Sequence, residues 1–167
     1  MSLYSCALST LVSDSHVAAP LPAAFLVRVA GDVLRGLALL HSTGWAHCDV
    51  KADNIMLTPS GAATLIDLGA ATRLGERTRE GAPEALALGR DVDVASVGVD
   101  LACLAATLWR AARRAADAPA GIGAAEIAAR ADAEGGAVMR AVAAILRADS
   151  AEVALAALAV QCGEYPP

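Results

Sequence analysis

HCDVKADN, residues 47–54, sets Asp49, Lys51, Asp53 and Asn54 within eight positions of a chain that is 56% hydrophobic. So dense a polar cluster in so apolar a chain asks for a reason. Upstream, LPAAFLVRVAGDVLRGLALLHS (21–42) repeats Phe25, Leu26, Val29, Val33, Leu37 and Leu40 at helical spacing, with Arg28, Asp32 and Arg35 toward another side. Pro22 suits the first turn of that helix and Gly44 its stop. Downstream, IMLTPSGAATLID (55–67) carries two short apolar runs around TPSG, which is turn chemistry. This predicts a small β-hairpin over 55–57 and 63–66.

Beyond the hairpin, Gly69, Gly75 and Gly81 punctuate a loop, and Pro83 can open a short helix. Asp93 then precedes a long apolar helix expected to run to about Arg114, with Asp93 as its N-cap. Arg110, Arg113 and Arg114 fall at its C-terminal end, where the helix dipole favours cations. ADAPAGIG (116–123) reads as a loop, and two further helices are expected near 135–147 and 151–161. The predicted fold is mainly α with a small β-hairpin.

The 167 residues suit one domain or a large fragment of one. Aromatics are only 3%, so alanine, leucine and valine must fill the core, and alanine is the best helix former. A net charge of -5 without a basic stripe argues against nucleic-acid binding. Cys6, Cys48, Cys103 and Cys162 form no CxxC pair, so their spacing suggests neither zinc nor a disulfide framework. A reducing, intracellular setting fits this cysteine usage, and the first sixteen residues lack the pattern of a secretory leader. VDVASVGVDLACLAATLW (92–109) mimics a membrane span. It carries Asp93 and Asp100, costly at bilayer depth, so it reads as a buried core helix and no membrane partner is expected.

LHSTGWAHCDVKADNIML (40–57) resembles the catalytic loop of a eukaryotic-type serine/threonine protein kinase, whose pattern is H-R-D-x-x-x-x-N. His47, Asp49 and Asn54 match, and Lys51 lies two residues past the aspartate. Asp67-Leu68-Gly69 resembles the D-F-G motif, Ala82-Pro83-Glu84 matches A-P-E, and DVDVASVG (91–98) resembles D-x-W-S-x-G through Asp93, Ser96 and Gly98. One such motif is weak; four in the family's order are strong. LYSCALSTLV (3–12), PLPAAFL (20–26) and IDLGAA (66–71) are further similar to alphaherpesvirus serine/threonine kinases.

The resemblance implies a kinase-like C-terminal lobe that uses ATP and Mg²⁺. Asp49 would accept or orient the proton of the substrate hydroxyl, and Lys51 would lie beside the transferred phosphate. Asn54 and Asp67 would hold Mg²⁺, which prefers oxygen ligands. Met56 would form part of the adenine floor and the backbone of Tyr4 to Cys6 the hinge. His47 would be an internal brace, and Asp93 would tether the catalytic loop as well as cap its helix. His16 and His41, without matching partners, read as surface or core residues.

Departures from the pattern are as informative. The chain begins at the hinge, without a glycine-rich loop, a V-A-I-K lysine or its glutamate partner, so 1–167 reads as one truncated kinase-like domain with the N-lobe absent and no second domain. Cys48 replaces the arginine that could pair with a phosphorylated loop. Only residues 70–81 separate D-L-G from A-P-E, cutting the platform that docks substrate peptide. AILRADSAEVALAAL (144–158) resembles the family's late L-x-x-D-P-x-x-R-P segment, with Val153 in place of the arginine that pairs with the A-P-E glutamate. Glu84 should then be solvent-exposed or find Arg147. Ala7 falls where relatives carry an acid that contacts ribose. Two functions follow: a kinase lobe acting on a protein substrate once an N-lobe is supplied, or a catalytically weak pseudokinase that binds a partner kinase or its substrate.

Overall fold

A computed structural model describes residues 5–13, 21–78, 93–113 and 124–162. Its core forms around helix α3, Val97–Arg113. Every side chain from Val99 to Trp109 is buried, as expected of a helix that is apolar all round. The polar exceptions are both bonded: Thr107 Oγ1 donates to the Cys103 carbonyl (2.9 Å), and the Asp100 carboxylate accepts from the His47 and Cys48 N–H groups. Ala102, Cys103, Ala105 and Ala106 are small enough to let neighbouring helices approach closely.

The chain reaches this core through β1 (Cys6–Ala7), α1 (Leu8–Ser13) and α2 (Ala23–Ser42). Helix α2 buries Leu26, Val29, Val33 and Leu37, the stripe its spacing implies, with Phe25 and Leu40 half-buried. Each fully buried leucine is worth about 1.5–3 kcal/mol. The helix stops at Gly44, whose φ of +84 suits glycine, and the Gly44 N–H donates to the His41 carbonyl (2.9 Å).

Strand β2 (Trp45–Ala46) leads into the polar cluster, whose last part, Ala52–Asn54, is a 3-10 turn. Then come β3 (Ile55–Leu57) and β4 (Ala63–Leu65), the hairpin expected from TPSG. Thr58 closes the turn: its N–H donates to the Ala62 carbonyl (2.9 Å) and its Oγ1 accepts from the Ala62 N–H (3.1 Å). The hairpin is part of a three-stranded antiparallel sheet in the order β1-β3-β4, with Cys6 opposite Leu57 and Ala7 opposite Met56. Asp32 of α2 fixes it to the helices by accepting from the Ala63 N–H (2.9 Å). After a second 3-10 turn at Leu68–Ala70, β5 (Thr72–Arg73) pairs with β2.

Among the described residues three further helices follow: α4 (Ala124–Glu134), α5 (Ala137–Arg147) and α6 (Ala151–Cys162). Helix α5 packs against α2, α3, α4 and α6, and α6 also lies on α2. The expected mainly helical lobe with a small antiparallel sheet is therefore what forms. Helices α1 and α4 and strand β1 were not foreseen. No helix among the described residues is long and apolar enough to cross a membrane. The expectations for Tyr4, His16, Gly81, Pro83, the A-P-E residues, Arg114 and the 116–123 loop lie outside the described residues.

Candidate functional site

The polar cluster is organised around the Asp49 carboxylate. Lys51 Nζ donates to its Oδ2 (2.7 Å), and Asn54 Nδ2 donates both to the same oxygen (3.0 Å) and to the Asp49 carbonyl (2.9 Å). The 3-10 turn makes this possible: the Asn54 N–H donates to the Lys51 carbonyl (3.0 Å), folding Asn54 back over Asp49. Asp49 Oδ1 takes none of these bonds. Asn54 is buried, while Asp49 and Lys51 remain partly open to solvent.

The D-L-G turn is tied to the same loop. The Ile66 N–H donates to the Asn54 carbonyl (2.8 Å), and the Ile66 carbonyl accepts from His47 Nε2 (3.1 Å). The Asp49 N–H donates to His47 Nδ1 (3.3 Å), so this fully buried ring is used at both nitrogens in one tautomer, with the proton on Nε2. Asp67 follows directly, exposed, with Oδ1 accepting from the Gly69 N–H (3.0 Å). Among the described residues, Cys48 (φ 64) and Asp67 (φ 67) are the non-glycine residues with left-handed backbone. Such conformations cost on the order of 1–3 kcal/mol each and persist where the surroundings enforce them. Here one directly precedes Asp49 and the other is Asp67 itself.

The enforcing group at Cys48 is Asp100, in the first turn of α3. Its Oδ1 accepts from the Cys48 N–H and its Oδ2 from the His47 N–H, both at 2.8 Å, and His41 Nε2 lies 2.8 Å from Oδ2. Asp100 is fully buried. A buried carboxylate is tolerated only when bonded in this way. It pins the residues immediately before Asp49 to the central helix of the lobe.

A family model described as the protein kinase domain matches residues 7–118. The chain belongs to the protein kinase family. Over 54 residues it is 44% identical to Mitogen-activated protein kinase kinase kinase 20 of Arabidopsis thaliana, covering 32% of this chain and 16% of that relative. It is 42% identical over 55 residues to Mitogen-activated protein kinase kinase kinase 19 of Homo sapiens, covering 33% of this chain and 4% of the relative. It is 36% identical over 69 residues to Mitogen-activated protein kinase kinase kinase kinase 3 of Rattus norvegicus, covering 41% of this chain and 8% of the relative. These stretches are small parts of the relatives' own lengths.

In this kinase domain two expectations need correction. Asp93 neither caps α3 nor tethers the loop. The helix begins at Val97, where Ser96 Oγ accepts from the Val99 N–H (3.2 Å), while Asp93 is exposed and lies 4.0 Å from Arg77. The tether is Asp100, in the frame Asp100-Leu101-Ala102-Cys103-Leu104-Ala105, seven residues later. His41, read as a surface or core residue, is a core one, with Nε2 on the Asp100 carboxylate. Arg147 donates to Asp132 of α4 (2.5 and 3.3 Å), and Glu84, its expected partner, lies outside the described residues. Met56 is half-buried in β3, between Ala7 of β1 and Thr64 of β4.

Kinase domains use ATP and Mg²⁺, and the donor set here suits the ion. Asn54 Oδ1 and Asp67 Oδ2 are oxygens without hydrogen bonds from the described residues, and such hard donors are what Mg²⁺ takes. No group of three or more His, Cys, Asp or Glu side chains suited to a metal occurs among the described residues. The ion's other ligands would then be phosphate and water oxygens.

Burial, with the Asp100 charge adding to it, pushes the Cys48 thiol up from 9.0 to about 11. Below pH 9 the thiol is protonated whether the chain is folded or not. Between the two values the unfolded chain loses this proton first, so stability falls as pH rises through that window. Urea midpoints should drop between pH 9 and 11 and drop less in Cys48→Ala; equal slopes for both proteins would contradict the burial of this thiol.

Proposed function

We propose that this chain supplies the catalytic loop and metal-binding residues of a serine/threonine protein kinase, which transfers the ATP γ-phosphate to a protein Ser/Thr hydroxyl when a glycine-rich N-lobe completes the nucleotide clamp. That lobe would come from a longer product or from a partner chain; residues 1–167 would be the hinge and C-lobe. The observation that carries this reading is the state of Asp49. One carboxylate oxygen is locked by Lys51 and Asn54, and the other is left to accept a hydroxyl proton. Phosphoryl transfer needs positioning and charge neutralisation more than covalent help. Asp49 orients and deprotonates the incoming hydroxyl, Lys51 places its ammonium beside the transferred group, and Asn54 holds Asp49 in register. Bound through Asn54 Oδ1 and the Asp67 carboxylate, Mg²⁺ would offset phosphate charge. Met56 would form the adenine floor beside the Cys6 backbone.

The likeness of 3–12, 20–26 and 66–71 to alphaherpesvirus kinases supports a viral source, with the protein working inside a host cell. Calorimetry with Mg·ATP, on the chain and on a form extended by a glycine-rich lobe, tests the site. Asn54→Ala and Asp67→Ala should each weaken Mg·ATP binding about tenfold, or ~1.4 kcal/mol, and leave binding of metal-free ATP unchanged. Equal loss with and without metal would remove the metal role.

A second reading, a pseudokinase that binds protein partners, is favoured by one surface. Leu39 (70% exposed) and Leu68 (61% exposed) border a groove of about 460 Å³ between α2 and β4, with Gly36, Leu40 and Leu65 in its walls. Apolar surface of this kind marks interaction sites. Mg·ATP binding without transfer by any form of the chain would favour this reading.

A further inference from the structure

Helix α6 differs from its neighbours on the surface. The exposed sides of α2, α4 and α5 carry charge: Arg28 and Arg35, Glu126 and Arg130, Arg140 and Arg147. In α6 the last charged residue is Glu152, and from Val153 to Cys162 there is none. Its inner side is used in the ordinary way. Ala151, Ala154 and Leu158, spaced i, i+3 and i+7, are buried in the main core, where α6 lies on α2 and α5. A second apolar stripe runs along the opposite side. Val153 is 55% exposed and Val160 86%, and Ala156 (exposed) and Ala157 (half-buried) fall between them at i+3 and i+4. Single exposed apolar residues are ordinary; a stripe a full heptad long, on a helix already packed along its other side, is not. A helix that is apolar all round is one that is covered all round.

The order of residues says what covers it. Val153-Ala-Leu-Ala-Ala-Leu-Ala-Val160 reads the same in both directions. Turned end for end, the stripe sets valine on valine and alanine on alanine. A two-fold contact between identical chains requires such self-complementarity, because one patch must serve as both partners. With the axis between Ala156 and Ala157, Val153 of one copy faces Val160 of the other at each end, and the central alanines let the helix axes close to about 8 Å. Charge agrees with this. Each copy carries a net charge of -5, so two copies repel where charged faces meet, and the uncharged side of α6 avoids that cost. The two Glu152 side chains then fall at opposite ends of the contact.

We propose that α6 is a self-association face, through which a second copy of this chain docks antiparallel along Val153, Ala156, Ala157 and Val160. The contact is small. A 12-residue helix is about 18 Å long, so a pair of them buries less than the roughly 1,200 Å² of a standard interface. The dimer is therefore weak, half formed at on the order of 100 µM. It stands apart from the kinase reading and holds whether or not the chain binds Mg·ATP.

Sedimentation equilibrium of the full chain, from about 5 µM to about 1 mM, is the test. The weight-average mass should climb from the 16.8 kDa of one copy toward twice that value. Val153→Glu and Val160→Lys each place a charge in the stripe twice per dimer, and each should weaken association more than about tenfold. Both positions are exposed, and the helix dipole favours an acid at the first and a base at the second, so urea midpoints should hold. Mixed in equal amounts, the two variants bring the introduced carboxylate against the introduced ammonium only when the helices run antiparallel. The mixture should then associate at least about threefold more tightly than either variant alone. A mass fixed at one copy up to about 1 mM would overturn the proposal and leave this face to a different protein. Association that neither substitution weakens would place the contact elsewhere on the molecule, and a mixture no tighter than its components would rule out the antiparallel register. Should one variant unfold, the parent and the other variant decide.

Discussion

Asp100→Asn is expected to destabilise the lobe by about 3–5 kcal/mol, the range for losing one member of a buried charge-assisted set. The Asp100 carboxylate accepts three hydrogen bonds at 2.8 Å, from the His47 and Cys48 N–H groups and from His41 Nε2. An amide offers one oxygen in place of two. Its NH₂ must face at least one N–H donor, and a buried unsatisfied group costs about 1–3 kcal/mol. The left-handed backbone at Cys48 then loses what enforces it. Asp93→Asn is the matched control. It changes an exposed residue that the sequence pattern alone would choose for the same job, and it should stay within about 0.5 kcal/mol of the parent. Urea unfolding of both variants, compared at unchanged m-value, reads the difference. A larger loss at position 93 than at position 100 would mean that the loop is anchored elsewhere.

That comparison also shows where the sequence was readable. Helix α2 was legible because its stripe keeps one period for five turns and has glycine at the stop. The hairpin was legible because TPSG offers a turn between two apolar runs. The tether was not, because two frames compete. Asp93-Val-Ala-Ser-Val-Gly fits the family pattern at Asp93, Ser96 and Gly98, with Ala95 for its tryptophan, and Asp100-Leu-Ala-Cys-Leu-Ala fits it more loosely. Pattern matching picks the first frame; burial picks the second. The overlooked signal was physical: an aspartate inside the apolar run of α3 must find donors, and the backbone of a strained polar loop supplies them. Nothing in the sequence around His41 announces its contact, which joins residues 59 apart. Helix α1, six residues long, is too short to show a period. Helix α4 buries Ile127, Ala128 and Ala131, a stripe too thin and alanine-rich to stand out from its neighbours.

Asp49→Asn should separate the two functional readings more sharply than any other change. In the kinase reading Asp49 Oδ1 takes the hydroxyl proton, and removing a general base of this kind lowers the chemical step by about 10²–10⁴-fold. The substitution is nearly isosteric. The asparagine oxygen can still accept from Lys51 Nζ and Asn54 Nδ2, which hold the native carboxylate at 2.7 and 3.0 Å. The NH₂ is then turned toward the substrate hydroxyl, a donor where an acceptor is needed. The loss should therefore fall on kcat, with KM for ATP and Mg·ATP affinity within about threefold, because Asn54 and Asp67 are untouched. Phosphate transfer to a generic basic protein, by the form carrying a glycine-rich lobe, measures the first quantity and calorimetry the second. A variant that keeps its turnover would take Asp49 out of the chemistry. If the parent binds Mg·ATP without turning over, the substitution has nothing to remove. The locked carboxylate is then a scaffold for a binding surface, and the Leu39–Leu68 groove becomes the part of the molecule to pursue.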